Sequence, residues 1–118
     1  MAVMVAQRAI IKLYLLTFLE KNRGYGYQMF DELKSHIKES GLNPPDSEVY
    51  RILHGLVDDG VLYRTKQESG RVEFPQEIYI YDFTADGREK AALFKKQVKP
   101  EIERCIGVLR KAEKDNFL

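Results

Sequence analysis

Residues 43–66, NPPDSEVYRILHGLVDDGVLYRTK, constrain the fold more than any other stretch. Val49, Ile52, Leu53, Leu56 and Val57 recur at steps of three and four, which places them on one face of a helix. Ser47, Arg51, Gly55 and Asp58 fall on the opposite face, with Glu48 and His54 at its margins. Asn43 or Asp46 is placed to cap the start, and Pro44 and Pro45 suit only a first turn. Gly60 supplies the stop. Leu62 to Lys66 then reads as extended and carries Arg64 and Lys66. An ordinary surface helix leading into a hairpin has the same pattern, so the flanking segments decide between the readings.

Upstream, residues 5–22 read as a helix. Ala9, Ile10, Leu13, Tyr14, Thr17 and Phe18 share one face, and Ile11, Leu15, Leu16 and Leu19 make most of the rest apolar. A helix apolar nearly all round is a buried central helix. Arg23-Gly24-Tyr25-Gly26 breaks it. Tyr27, Phe30, Leu33 and Ile37 mark a second helix over 27–39, ended by Gly41. Two helices, a turn and the helix that Gly60 stops make a helix-turn-helix core. Downstream, 62–66 is a strand and 67–76, with Gly70 and Pro75, a loop. Residues 77–83, EIYIYDF, form a strand apolar on both faces. Two strands around a polar loop form a hairpin of the size called a wing, so the expected fold is α+β, mainly helical, a winged helix-turn-helix.

Thr84 or Asp86 is placed to cap a last helix running to about Asn116. Phe94, Val98, Ile102, Cys105, Ile106 and Leu109 form a stripe along it. Such a helix extends roughly 45 Å, more than a small domain covers, so its far end is expected to bury its stripe against a partner copy. Pro100 removes one backbone bond and predicts a kink or break. The chain is expected to be one domain over 1–118: a winged-helix core over 1–85 and a dimerisation helix over 86–118.

Hydrophobic residues at 44% and charged residues at 31% describe a soluble globular chain. A net charge of +1 neither demands nor excludes nucleic acid, because a basic face coexists easily with an acidic remainder. The single cysteine, Cys105, excludes an intramolecular disulfide and suits a reducing cytosol. The apolar start carries Arg8 and Lys12 and lacks the basic lead and cleavage site of a signal peptide. The apolar run after Lys12 is far shorter than the roughly 20 residues that span a bilayer. His36 and His54 fall on different helices, and no Cys/His spacing, nucleophile motif or phosphate-cradling glycine loop occurs. No enzymatic role, metal, cofactor or membrane is expected. Tyr63, Tyr79 and Tyr81 are either base-stacking groups or, more commonly in a small domain, core residues.

Residues along nearly the whole chain resemble the bacterial replication terminator protein family, small dimeric winged-helix proteins of bacilli. Gln7-Arg8-Ala9 with Lys12-Leu13-Tyr14 resembles the family's first helix, and Tyr25-Gly26 the turn after it. Glu48-Val49-Tyr50-Arg51, Leu53-His54, Leu56 and Asp58-Asp59-Gly60 resemble its recognition helix. Lys95-Lys96-Gln97, Lys99, Glu101, Arg104-Cys105 and Asp115-Asn116-Phe117 resemble its dimerisation helix. PadR-type repressors share only the pattern of Tyr50-Arg51, Leu53 and Gly60. The resemblance implies a sequence-specific DNA-binding dimer that stops a replication fork from one direction, with a PadR-like transcriptional repressor as the alternative. A protein-interaction dimer without DNA binding is a third reading.

The resemblance also implies residue roles. Arg51 and its neighbours Ser47, Glu48, Tyr50 and His54 enter the major groove, and Arg8 joins the DNA contacts. The hairpin, with Arg64, Lys66 and Arg71, lies along the backbone and minor groove. Phe94, Val98, Ile102, Cys105, Ile106 and Leu109 pair with a second subunit, and two dimers on one site remain an option. Tyr25 matches a position associated with the replicative helicase. Residence in the cytoplasm, at the nucleoid, follows. The chain departs from the family pattern at Gly55, where a charged residue is usual, at Pro100, and in a wing whose cations are offset by Glu68, Glu73 and Glu77.

Overall fold

The computed structural model describes residues 5–21, 24–68 and 77–117. Helix α1 spans Gln7–Lys21, a two-residue strand β1 Gly24–Tyr25, and α2 Gly26–Ile37 with a 3-10 turn at Lys38–Ser40. Helix α3 spans Asp46–Asp58, strands β2 and β3 Leu62–Glu68 and Glu77–Phe83, and α4 Gly87–Asn116. The three strands form one antiparallel sheet in the order β1-β3-β2. Leu62 faces Phe83 at one end of the β2–β3 register and Glu68 faces Glu77 at the other. The expected hairpin is therefore present, but the strand runs on through Gln67 and Glu68, and a third strand joins it. Gly24 and Tyr25 pair with Tyr81 and Ile80, so the segment that breaks the first helix also closes the free edge of β3. Two residues are too few for period-two alternation to reveal a strand.

The core lies where α1, α2 and α3 meet the sheet. Ile11, Leu15, Leu16 and Leu19 from α1 meet Leu33 and Ile37 from α2, and Val49, Ile52, Leu53 and Leu56 from α3. Val61, Leu62, Tyr81 and Ala91 complete the cluster. Burying each large aliphatic side chain stabilises the fold by about 1.5–3 kcal/mol. Of the two apolar faces of α1, the core takes the one with Ile11 and Leu15. The face with Ile10, Leu13 and Tyr14 is only part-covered. Tyr81 is buried and Tyr79 half-buried against the core, whereas Tyr63 is 45% exposed.

The helix ends differ from the expected caps. Neither Asn43 nor Asp46 caps α3: Pro45 holds the N-cap position in extended backbone, with no side-chain bond, and Asp46 and Glu48 lie in the first turn. Their negative charges oppose the positive end of the helix dipole. Gly60, at φ +75°, ends α3 as expected. Asp86 stands at the N-cap of α4 without a side-chain cap bond. The Thr84 hydroxyl lies within hydrogen-bonding reach of both the Gly60 carbonyl, at 2.6 Å, and Asp86 Oδ1, at 3.1 Å, and Lys90 Nζ donates to the Asp59 carbonyl at 3.2 Å. A Cβ on Gly87 would stand 2.1 Å from the Val61 carbonyl oxygen, so only glycine lets α4 begin against this turn. The α3–β2 turn and the start of α4 are thus one joint.

Helix α4 is continuous through Pro100, which does not break it. Its first half packs on the chain itself. Ala91 and Val98 are buried, Lys95 Nζ pairs with Glu20 Oε1 at 2.6 Å, and Lys12 Nζ stands 4.3 Å from the centre of the Phe94 ring. Every described residue from Ile106 onward is exposed. The expected dimer stripe therefore divides: Phe94 and Val98 are covered within the subunit, and Ile106 and Leu109 are not.

Candidate nucleic-acid interface

Helix α3 is amphipathic, and burial of Val49, Ile52, Leu53 and Leu56 turns Ser47, Tyr50, Arg51 and His54 to solvent. The Arg51 side chain is 69% exposed. Gly55 lies on the same side, and a Cβ there would meet nothing within 4 Å. Helix α2 meets the start of α3 through an exposed ion pair, Lys34 Nζ and Asp46 Oδ1 at 3.4 Å.

Two arginines from other elements reach this helix. Arg8, in the first turn of α1, donates from Nε to Glu48 Oε1 at 2.7 Å. Arg64, on β2, places Nη1 3.3 Å from His54 Nε2 and its guanidinium 4.5 Å from the centre of the Tyr79 ring. The fold thus brings Arg8, Glu48, Arg51, His54 and Arg64 onto one surface, drawn from α1, α3 and β2. Lys66 is exposed on the same strand as Arg64. Arg71 and the side chain of Tyr25 lie outside the described residues.

Guanidinium groups are planar, permanently charged forks that match phosphate and guanine edges. Spaced along the N-terminal half of α3 and its neighbours, they form an acceptor-seeking surface. Asp58 and Asp59 close the C-terminal end of the helix, and Asp59 shares a groove with Arg8 and Arg51. Sequence reasoning missed Lys12. It lines a 390 Å3 groove between α1 and α3 with Arg8, Arg51 and Gly55. The signal was present, because Arg8 and Lys12 are one helical turn apart.

A second surface lies opposite. Ile10, Leu13, Tyr14 and Thr17 of α1 and Ile102, Cys105 and Ile106 of α4 line an apolar groove of 470 Å3. Cys105 is half-buried in it. Among the described residues no cluster of His, Cys, Asp and Glu is arranged to hold a metal ion, and no helix is long and apolar enough to cross a membrane.

A helix-turn-helix through α2 and α3, followed by the β2–β3 hairpin, makes this a winged helix-turn-helix protein with the Arg51 side of its third helix exposed. The family model described as replication terminator protein matches residues 2–117, and the chain belongs to that family. The replication termination protein of Bacillus subtilis is 43% identical over 116 residues, covering 97% of this chain and 91% of that protein. Among solved structures, a transcriptional regulator from Thermoplasma acidophilum superposes with a TM-score of 0.67 at 21% identity, over 89% of this chain and 92% of the other. Bacillus subtilis PadR in complex with operator DNA gives a TM-score of 0.52 at 23% identity, over 70% of this chain and 46% of the other. At these identities the two solved structures speak to the fold alone.

Proposed function

We propose that the protein is a sequence-specific DNA-binding dimer that occupies terminator sites and blocks a replication fork arriving from one direction. The observation that carries this reading is the exposed face of α3, with Arg51 open to solvent and Arg8 and Arg64 drawn in beside it. Membership of the replication terminator protein family supports the terminator role over other uses of the scaffold. In this reading Ser47, Tyr50, Arg51 and His54 face the major groove. Arg64, Lys66 and Arg71 follow the sugar-phosphate backbone, and DNA as ligand puts the protein at the nucleoid.

The dimer is supported by the uncovered half of α4. Ile106, which lines the apolar groove against α1, and Leu109, one turn further on, are 42% and 52% exposed. Isolated apolar residues on a surface are ordinary, whereas Ile102, Cys105, Ile106 and Leu109 share one face of the helix, and a contiguous set of that kind marks an interaction surface. Tyr25 belongs to β1, an edge strand of the sheet, and is the residue assigned to helicase contact; two dimers on one site belong to the same reading.

Selection of bound duplexes from a random pool gives the site. A strand-displacement assay on that site in both orientations then tests arrest. An orientation-dependent block is expected, weakened by Tyr25→Ala without loss of site affinity. Equal passage in both orientations at saturating occupancy would replace the terminator role with the second reading, a PadR-like repressor on the same winged-helix scaffold.

A further inference from the structure

Of the acids on α3, Glu48 is the one that meets both Arg8 and Arg51. Glu48 lies in the first turn of the helix. Its Oε1 accepts the Arg8 Nε–H at 2.7 Å, and its Oε2 stands 3.6 Å from Arg51 Nη1. The Glu48 side chain is 24% exposed, against 56% for Arg8 and 69% for Arg51. A sheltered carboxylate thus holds two open guanidinium groups, one on each of two helices.

We propose that Glu48 is a positioning residue that sets DNA discrimination through Arg8 and Arg51, and is not itself a DNA contact; this rests on the DNA-binding reading above. Three physical points support it. A carboxylate only accepts hydrogen bonds, so it repels phosphate and favours donors. The bond from Arg8 uses one of five N–H donors, which leaves an oriented guanidinium edge for another acceptor. The shared negative charge also lowers the gain from releasing counterions at any phosphate, while an aligned pair of Nη groups still suits a guanine edge. The carboxylate therefore weakens binding to arbitrary duplex more than binding to the right one. A structural role alone would show as lost stability in Glu48→Gln, which melting curves read, and Asp46 already places a charge in the same first turn.

The test titrates wild type, Glu48→Gln, Arg8→Ala and the double variant with two probes over a range of salt. One probe is a mixed-sequence duplex, and the other is the duplex that wild type enriches most from a random pool. Glu48→Gln is expected to bind the mixed duplex more tightly, with a salt slope steeper by about one, an affinity loss roughly threefold greater between 50 and 200 mM salt. Its preference for the enriched duplex should fall by on the order of tenfold. In the Arg8→Ala background the same change should be much smaller, because the effect travels through Arg8. Melting curves of wild type and Glu48→Gln should nearly coincide. If Glu48→Gln melts early, Arg8→Ala alone still decides, since it should lose preference for the enriched duplex as well as affinity. Unchanged slope and preference in Glu48→Gln overturn the proposal. So does an altered preference confined to one base pair with the mixed duplex unaffected, which would make Glu48 a direct reader. If wild type binds no duplex at low salt, the DNA-binding reading falls and this role with it; that result differs plainly from a wild type that binds and a variant that matches it.

Discussion

Nη1 of Arg64 lies 3.3 Å from Nε2 of His54, which joins the middle of α3 to the first strand of the hairpin. The same guanidinium covers the Tyr79 ring. Arg64 is therefore a joint as well as a cation. Arg64→Ala removes a cation–π contact and a hydrogen bond, and should lower unfolding free energy by about 1–2 kcal/mol. Arg64→Lys keeps the charge but not the planar fork, and should recover duplex affinity better than stability. Urea titration beside duplex binding separates the two.

Arg51 behaves oppositely. Its exposed side chain has a 3.6 Å ion-pair contact with Glu48 and no place in the core, so Arg51→Ala should change stability by less than about 0.5 kcal/mol. A bidentate contact to guanine discriminates by about 1–3 kcal/mol, so the same variant should lose specific affinity by that order and relax one position of the site. Equal loss of affinity for specific and mixed duplexes would show that Arg51 touches phosphate only.

Gly87 is constrained by space. A methyl group there would press into the Val61 carbonyl at 2.1 Å, a backbone atom that cannot swing away. Gly87→Ala should destabilise the protein by about 1–3 kcal/mol through overpacking. Gly55→Ala should instead stabilise it by up to about 1 kcal/mol, because a helix interior favours alanine and nothing lies nearby. Thermal melts of both variants check the contrast.

The two halves of α4 should respond differently to charge. Val98 is 4% exposed within the subunit, so Val98→Asp should unfold it. Leu109 is 52% exposed, so Leu109→Asp should leave the fold intact and shift the protein from dimer to monomer. Sedimentation of wild type and both variants decides. A wild type that is a folded monomer at high concentration would remove the dimer.

Two groups link stability to pH. The Thr84 hydroxyl, then Lys90, hold the exposed Asp86 carboxyl below the usual carboxylate range. The ionised form thus favours the folded state. Its contribution is present above the ordinary carboxylate value of 3.8 and is lost as pH falls through the lower folded value. Asp86→Asn should therefore flatten the acid limb of the stability curve. Burial pushes the Tyr81 hydroxyl above 10.0, against the opposing influence of Arg64. Here the neutral form favours folding, so the contribution is full below pH 10.0 and is lost as pH rises through the folded value. Tyr81→Phe should extend stability further into alkali. Melting temperatures across both ranges test the pair.

Residue order alone determined the local features of this chain. The three- and four-residue steps of Val49, Ile52, Leu53 and Leu56 define α3 and its exposed side, and Gly60 defines its end. The alternation in 77–83 defines β3, and residues along most of the chain carry the family resemblance. Periodicity reports which positions share a face, not what covers that face. Helix α1 has two apolar faces, and only its packing on α2 and α3 decided that Ile11 and Leu15 are core while Ile10 and Leu13 border a groove. In the same way α4 covers Val98 with its own subunit and leaves Leu109 bare. Strand β1 exists because Gly24 and Tyr25 meet the edge of β3, a pairing no two-residue pattern encodes. Arg8 reaches Glu48 across 40 residues, and Gly87 meets Val61 across a turn, because the folded chain brings together groups that local spacing cannot relate.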